Sequence, residues 1–387
     1  MKSTPLHFEE VEDAIKASAR YLVKATKSDG MFTYRINMDP AVRVKKRYNL
    51  LRHAGTIYAM CTYYVKHPDE EMKSAIERAG RYLRDEALST LPGKENMLSV
   101  WCDPEVNGTA HPPQIKLGGT GLGLAALLNI EKIFPGFTPL PTLQALGRSI
   151  LYMQKEEGSF YAKYIPSLGG LQDKWNSLFY PGEAALGLLM LYEKEKSDIW
   201  LISAYKGLEY LARIRKESTA VPPDHWALLA TEKILLLEHD STIALSRPLL
   251  INHSLQICET MLQTQVDDLE YPRAEGAFSN DGKTTPTAVC LEGLLSALTF
   301  LPKNHEIRER IVSSVTRGIA FLIRAQIKKG KFIGAMPRAI DKIGGNSVES
   351  KKFNRRATEV RIDYLQHAMS AMMQYNTYTD TLKDTPV

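Results

Sequence analysis

A leucine that closes a helical segment recurs six times along the chain at near-equal intervals. Leu22, Leu83, Leu151, Leu211, Leu262 and Leu322 are separated by 61, 68, 60, 51 and 60 residues. The segments they close are 14–22, 75–83, 145–151, 204–211, 254–262 and 315–322, and small or apolar residues fall three and four apart within them. Ala14, Ala17, Ser18, Tyr21 and Leu22 show the pattern, which is that of an amphipathic helix. Six copies fill the 387 residues and leave no room for a separate strand-rich half.

Four of the copies continue into Gly-x-Phe: Gly30-Met31-Phe32, Gly158-Ser159-Phe160, Gly276-Ala277-Phe278 and Gly330-Lys331-Phe332. The glycine is expected to stop the helix, because it tolerates positive φ, and the aromatic ring to plug the layer beneath. A polar loop follows, then a second and more apolar helix. These second helices start near Arg52-His53-Ala54-Gly55, Gly118-Gly119-Thr120-Gly121, Tyr180-Pro181-Gly182-Glu183, Asp224-His225-Trp226-Ala227, Ala288-Val289-Cys290-Leu291-Glu292 and Arg361-Ile362-Asp363-Tyr364. Bodies such as Leu122-Gly123-Leu124-Ala125-Ala126-Leu127 are apolar nearly all round, which predicts burial on most faces.

One amphipathic and one buried helix per copy, six times over, predicts an all-α fold, an (α/α)6 toroid or barrel of six helical hairpins. Hairpins that cannot bury their faces alone must stack, and six can close into a ring. The last copy, 361–375, is as apolar as the others and has no polar capping face, which favours closure over an open solenoid. No Pro/Gly-rich linker divides the chain. A single domain over 1–387 is expected, with 1–13 and 376–387 as peripheral tails.

Composition narrows the function classes. Hydrophobic residues are 44 %, charged residues 24 % and the net charge is +5, the balance of a globular protein. Lys and Arg are spread along the chain, and the densest run, Lys351-Lys352-Phe353-Asn354-Arg355-Arg356, is short, so no nucleic-acid partner is expected. The most apolar stretches, 121–130 and 184–192, are about half the length that spans a bilayer. Cys61, Cys102, Cys258 and Cys290 lie far apart without a CxxC and read as reduced core thiols. The first ten residues lack an apolar signal core, so a cytoplasmic location is expected.

Two copies read Gln-x-x-x-Gly-x-Phe in full, Gln154 to Phe160 and Gln326 to Phe332. This motif resembles the repeat of terpenoid cyclases and protein prenyltransferase β-subunits, and more loosely that of six-hairpin glycosidases, lyases and epimerases. The resemblance implies the toroid, with a site in its mouth. The sequence has no Asp-x-Asp-Asp acid motif, no Asp-x-Cys pair with a later His for zinc, and no Cys and His glycine signatures of lanthionine cyclases.

In a toroid the starts of the second helices ring one mouth, so polar residues there are the candidates for a site. Glu183 precedes an entirely apolar helix, and a carboxyl so placed can be raised in pKa and act as acid or base. Asp363 and Asp103 are its candidate carboxylate partners, and His53 a candidate base. Arg52 and Arg361 suit anionic groups. Asp173, Trp175, Tyr180, His225, Trp226 and His367 are expected to bind substrate. Gly118-Gly119-Thr120-Gly121 offers N–H groups for an anion, but close helix approach explains the glycines better. Asp363 and His367, four apart on one helix face, could bind a metal or orient the His as a base, but an intrahelical hydrogen bond is the commoner use. Cys102, Asp103 and His111 match no standard zinc spacing, so neither metal nor cofactor is expected. The favoured function is a carbohydrate- or glycoconjugate-active enzyme of hydrolase, lyase or epimerase type. The alternatives are a non-catalytic scaffold holding a peptide, lipid or partner, and thirdly prenyl or terpenoid chemistry.

Overall fold

The computed structural model describes residues 6–174, 176–237, 245–267 and 272–383. Each of the six copies contributes its two helices. They are α1 (Phe8–Ala25) and α2 (Leu50–Lys66); α3 (Glu70–Arg81) and, after the short α4 (Pro104–Asn107), α5 (Leu117–Ile133); α6 (Leu140–Tyr152) and α7 (Tyr180–Glu195). The series continues with α8 (Asp198–Arg215) and α9 (His225–Leu236); α10 (Arg247–Gln263) and α11 (Thr284–Phe300); α12 (Ile307–Ala325) and, after α13 (Val348–Ala357), α14 (Ile362–Lys383). The ends expected to be peripheral take part in this framework. α1 starts at Phe8 and buries Val11 beside Ile15, and α14 runs to Lys383 and buries Asn376.

The chain forms two compact units, one of Met1–Lys27, Phe32–Lys45 and Met261–Val387, the other of Ser28–Met31 and Lys46–Thr260. In the larger unit α2 packs on α5, α5 on α7 and α7 on α9, so the second helices of successive copies lie side by side. Glycine sets how closely they approach. A Cβ on Gly121 would lie 2.6 Å from the Glu183 carbonyl oxygen, and one on Gly182 would lie 2.5 Å from the Trp226 carbonyl carbon. In the smaller unit α11 and α1 both pack on α14, and Leu291, Leu294, Leu365 and Met369 are buried.

The Gly-x-Phe turns work differently from a simple helix stop. α1 ends at Ala25, and Gly30 (φ 83°) sits five residues further on, in a turn bridged by Thr26 and Phe32. Gly158 (φ 100°) occupies the equivalent turn, bridged by Gln154 and Phe160. A Cβ on Gly158 would collide with the Lys206 carbonyl in α8, the first helix of the following copy. The glutamine of the motif completes the clasp. Gln154 Nε2 donates to the Gly158 and Ser203 carbonyls, and Ser203 Oγ donates back to its Oε1 at 2.6 Å. Gln265 repeats this with Gly276 and Ser314, eleven residues separating glutamine from glycine. Gln326 makes a variant of it: its Nε2 donates to the Ala14 and Gly334 carbonyls and to Ser18 Oγ, which donates on to the Gly334 carbonyl, so Gly334 takes the place expected of Gly330. Phe32, Phe160 and Phe278 are buried as expected, whereas Phe332 is half-buried because its turn has shifted.

Two small antiparallel sheets interrupt the helices. β1 (Arg35–Asn37) pairs with β7 (Glu359–Arg361), with Ile36 opposite Val360. β2 (Leu88–Leu91), β3 (Lys94–Cys102), β4 (Gln114–Lys116), β5 (Lys163–Ile165) and β6 (Gly170–Gln172) form a five-stranded meander. This meander presses Val100 against α5, 2.6 Å from where a Cβ on Gly123 would stand. It leads the chain directly into α5 at Leu117, whose N–H donates to the Ala162 carbonyl.

Leu186 is 3 % exposed in the middle of α7. Leu186→Ala is expected to lower stability by about 2–5 kcal/mol through the cavity it leaves, read from urea unfolding followed by circular dichroism. A loss below about 0.5 kcal/mol would contradict the burial of α7. Among the described residues no helix is long and apolar enough to cross a membrane.

Candidate functional site

In the larger unit the first turns of α2, α5, α7 and α9 bring together two buried carboxyl groups, Glu183 and Asp224, both raised by burial. Pro181 early in α7 fixes the entry of the helix, and Glu183 follows two residues later. Glu183 is 2 % exposed, and its Oε2 has no hydrogen-bond partner among the described residues. Burial pushes its pKa up to about 8, the charge of Asp224 adds to the rise, and Arg52 opposes it. Glu183 is therefore mostly protonated at pH 7, a proton donor poised inside the fold. Gly118 makes the space for it, since a Cβ there would overlap Oε2 and lie 2.5 Å from the Tyr180 ring. Tyr180 itself is raised by burial and then by Glu183, with Arg52 acting against the rise.

Asp224 is fully buried. It caps α9 by accepting the Ala227 N–H at 3.1 Å and takes Arg215 through Oδ2 at 3.3 and 3.4 Å. Burial raises Asp224 to about 6, opposed by Arg215. The guanidinium also reaches His253 Nε2 at 3.2 Å. Arginine can only donate, so Nε2 accepts and the ring is neutral with its proton on Nδ1. Burial, and secondly Arg215, bring His253 down to about 3. Neither Arg215 nor His253 was legible as a site residue. Each is one polar side chain on an otherwise amphipathic helix, and only the tertiary contact distinguishes it from surface.

The other candidates of this unit divide sharply. His53 is wholly buried, with Nδ1 2.7 Å from the Tyr48 hydroxyl and Nε2 3.0 Å from the Ala79 carbonyl. The carbonyl must accept from Nε2–H, so Nδ1 accepts from Tyr48 and both nitrogens are engaged. Burial lowers the pKa to about 4, and the expected base is instead a structural, neutral imidazole. Asp103 is exposed and caps α4 through the Glu105 N–H at 2.7 Å. Asp173 is exposed and pairs with Lys155 at 2.7 Å. Trp175 lies outside the described residues. His225 is buried between the rings of Phe179 (5.1 Å, edge-on) and Trp226 (4.9 Å).

The smaller unit holds the remaining candidates. Arg361 grips Asp363 with both arms, at 2.5 and 2.8 Å, and its guanidinium lies 4.4 Å from the Tyr364 ring centre. Tyr364 donates to Glu359, which also takes Arg356 at 2.8 Å. Asp363, expected as a carboxylate partner, is thus neutralised where it stands. His367 Nδ1 lies 2.6 Å from Glu292 Oε2, a buried carboxyl raised by desolvation with His367 opposing. Glu292, in the body of α11, thus meets an imidazole from α14.

No family model matches the sequence. No curated protein matches it either. Solved structures do match. A D-mannose isomerase is similar at TM-score 0.69 and 12 % identity, covering 97 % of this chain and 100 % of its own. A sugar epimerase from a ruminal bacterium gives TM-score 0.70 at 10 % identity, over 99 % of this chain and 100 % of its own. The cellobiose 2-epimerase of Spirochaeta thermophila DSM 6192 gives 0.65 at 13 %, over 97 % of each chain. At such identities the likeness speaks for the fold, and the fold is the six-hairpin α/α toroid that the repeats foretold.

Proposed function

We propose that the chain is a carbohydrate-active enzyme in which Glu183 supplies the proton. The observation that carries this is a buried carboxyl held protonated at neutral pH, one oxygen without a partner among the described residues, beside Arg52 and Tyr180. Leaving such a group unsatisfied costs stability, and a reaction that needs the proton is the physical reason to keep it. The toroid shared with sugar isomerases and epimerases supports a sugar as substrate, on an argument of fold. As acid, Glu183 would protonate the oxygen of a leaving glycoside or of an opening sugar ring, with Arg52 and Tyr180 placed to hold hydroxyls.

The fold shared with a D-mannose isomerase and two sugar epimerases favours epimerase or isomerase chemistry over hydrolysis. The four cysteines are all buried free thiols, which suits the reducing cytoplasm. The test is incubation with a panel of neutral mono- and disaccharides in deuterated water, followed by NMR. Deuterium entering at the carbon next to the carbonyl, with an epimer or isomer appearing, is the expected result. Hydrolysis without exchange would move the assignment to a glycosidase, and no turnover of any sugar would move it to the scaffold reading.

A further inference from the structure

Tyr180, one helical turn before Glu183, also lines a cavity of about 360 Å³ in the larger unit. The size falls within the range of small-ligand sites. We infer that this cavity is an accessory subsite for a neutral, hydroxyl-rich sugar ring, distinct from the position beside Gly118 and Glu183. The inference rests on the carbohydrate reading and adds to it a second place where sugar is held.

Three features of the lining carry the argument. The first is its mixed character. Phe160, Tyr180 and Tyr210 contribute rings, while Lys155, Asp173 and Asn176 contribute donors and acceptors. A pyranose has the same two-sided chemistry, C–H bonds on its faces and hydroxyls round its edge, so rings and paired polar groups can be satisfied together.

Charge is the second. Each cation of the lining already has its own carboxylate: Lys155 holds Asp173 at 2.7 and 2.8 Å, and Arg215 holds Asp224 at 3.3 Å. An anion would have to compete with those carboxylates, whereas a sugar hydroxyl can donate to Asp173 and accept from Lys155 without breaking the pair. The Asp173 side chain is 58 % exposed and is therefore reachable.

The third is that glycines hold the walls open. A Cβ on Gly207 would stand 2.7 Å from the Phe160 ring, and one on Gly158 would stand 3.3 Å from the Tyr210 Cβ. Ile214 at the lip is 58 % exposed, an apolar side chain on offer to the face of a ring.

The test uses calorimetry on the full chain carrying Glu183→Gln, so that turnover does not blur binding. The probes are methyl α-D-mannopyranoside, cellobiose and methyl glucuronide. Adding Tyr210→Ala is expected to weaken binding of the neutral probes by about tenfold, the loss of one stacking ring. Asp173→Asn, at an exposed position that does not threaten folding, is expected to weaken it by at least about fivefold. The glucuronide should bind no tighter than the neutral sugars. Unchanged affinity in both double variants, absence of binding by every neutral probe, or a glucuronide preference above about tenfold would each overturn the subsite. Failure of the catalytic reading is separate: it shows as undiminished turnover in Glu183→Gln, an outcome that leaves the cavity measurements standing.

Discussion

Glu183→Gln is expected to abolish turnover and, at pH 8–9, to make the protein more stable than the wild type. The two effects have one cause. In the unfolded chain the carboxyl ionises near the ordinary glutamate value of 4.5, and in the native structure burial raises it to about 8. Below pH 4.5 both states carry the proton and nothing is lost. Between these values the unfolded chain releases its proton and the native state does not, so native stability falls steadily as pH rises, and the loss is complete above the folded pKa. A shift of this size corresponds to about 3–5 kcal/mol. Asp224, raised to about 6, adds a loss of the same sign over the lower part of the window. Glutamine keeps the shape of the neutral acid and has no proton to lose. The melting temperatures of variant and wild type should nearly coincide at pH 4.5 and separate by several degrees at pH 9, with the variant higher. Activity of the wild type should fall above about pH 8, as the acid loses its proton. A variant that melts below the wild type at every pH would show that Glu183 is held by partners and not stranded. Wild-type turnover in the variant would remove it from the chemistry.

That carboxyl was legible in the sequence because an acid at the head of an otherwise apolar helix has nowhere polar to go. The same logic made the six hairpins legible. Periodicity of small and apolar residues depends only on helix geometry, and it survives in each copy regardless of what packs against it. Contacts made at a distance were not legible. His53 has the composition of a site residue, yet Tyr48 and the Ala79 carbonyl consume both its nitrogens. Arg215 and His253 read as ordinary surface positions until α8, α9 and α10 bring them onto Asp224. The meander from Leu88 to Gln172 was missed because four of its five strands are three or four residues long, too short for alternation to register. The Gln265 clasp was missed because eleven residues, and not four, part it from its glycine.

Neighbouring glycines at the head of α5 should respond to the same substitution with opposite signs. Gly119→Ala places a Cβ 4.0 Å from the Lys116 side chain, an ordinary contact, inside a helix where alanine is favoured. It should stabilise by up to about 1 kcal/mol, mainly by reducing the freedom of the unfolded chain. Gly121→Ala places a Cβ 2.6 Å from the Glu183 carbonyl oxygen and 2.7 Å from the Ala184 nitrogen. Those are backbone atoms in the opening turns of a packed helix and cannot turn aside, so α5 and α7 must part. A loss of about 2–4 kcal/mol is expected, larger than a typical overpacked side chain because backbone meets backbone. The parting also moves the carboxyl that Gly118 accommodates, so residual activity in Gly121→Ala should drop far more than its folded fraction. Denaturant melts of the two variants, run beside an activity assay, separate the cases. Gly119→Ala and Gly121→Ala equal in stability would show that α5 and α7 do not touch at Gly121. Loss of stability with activity per folded molecule unchanged would show that the crossing serves packing alone and that the position of Glu183 does not depend on it.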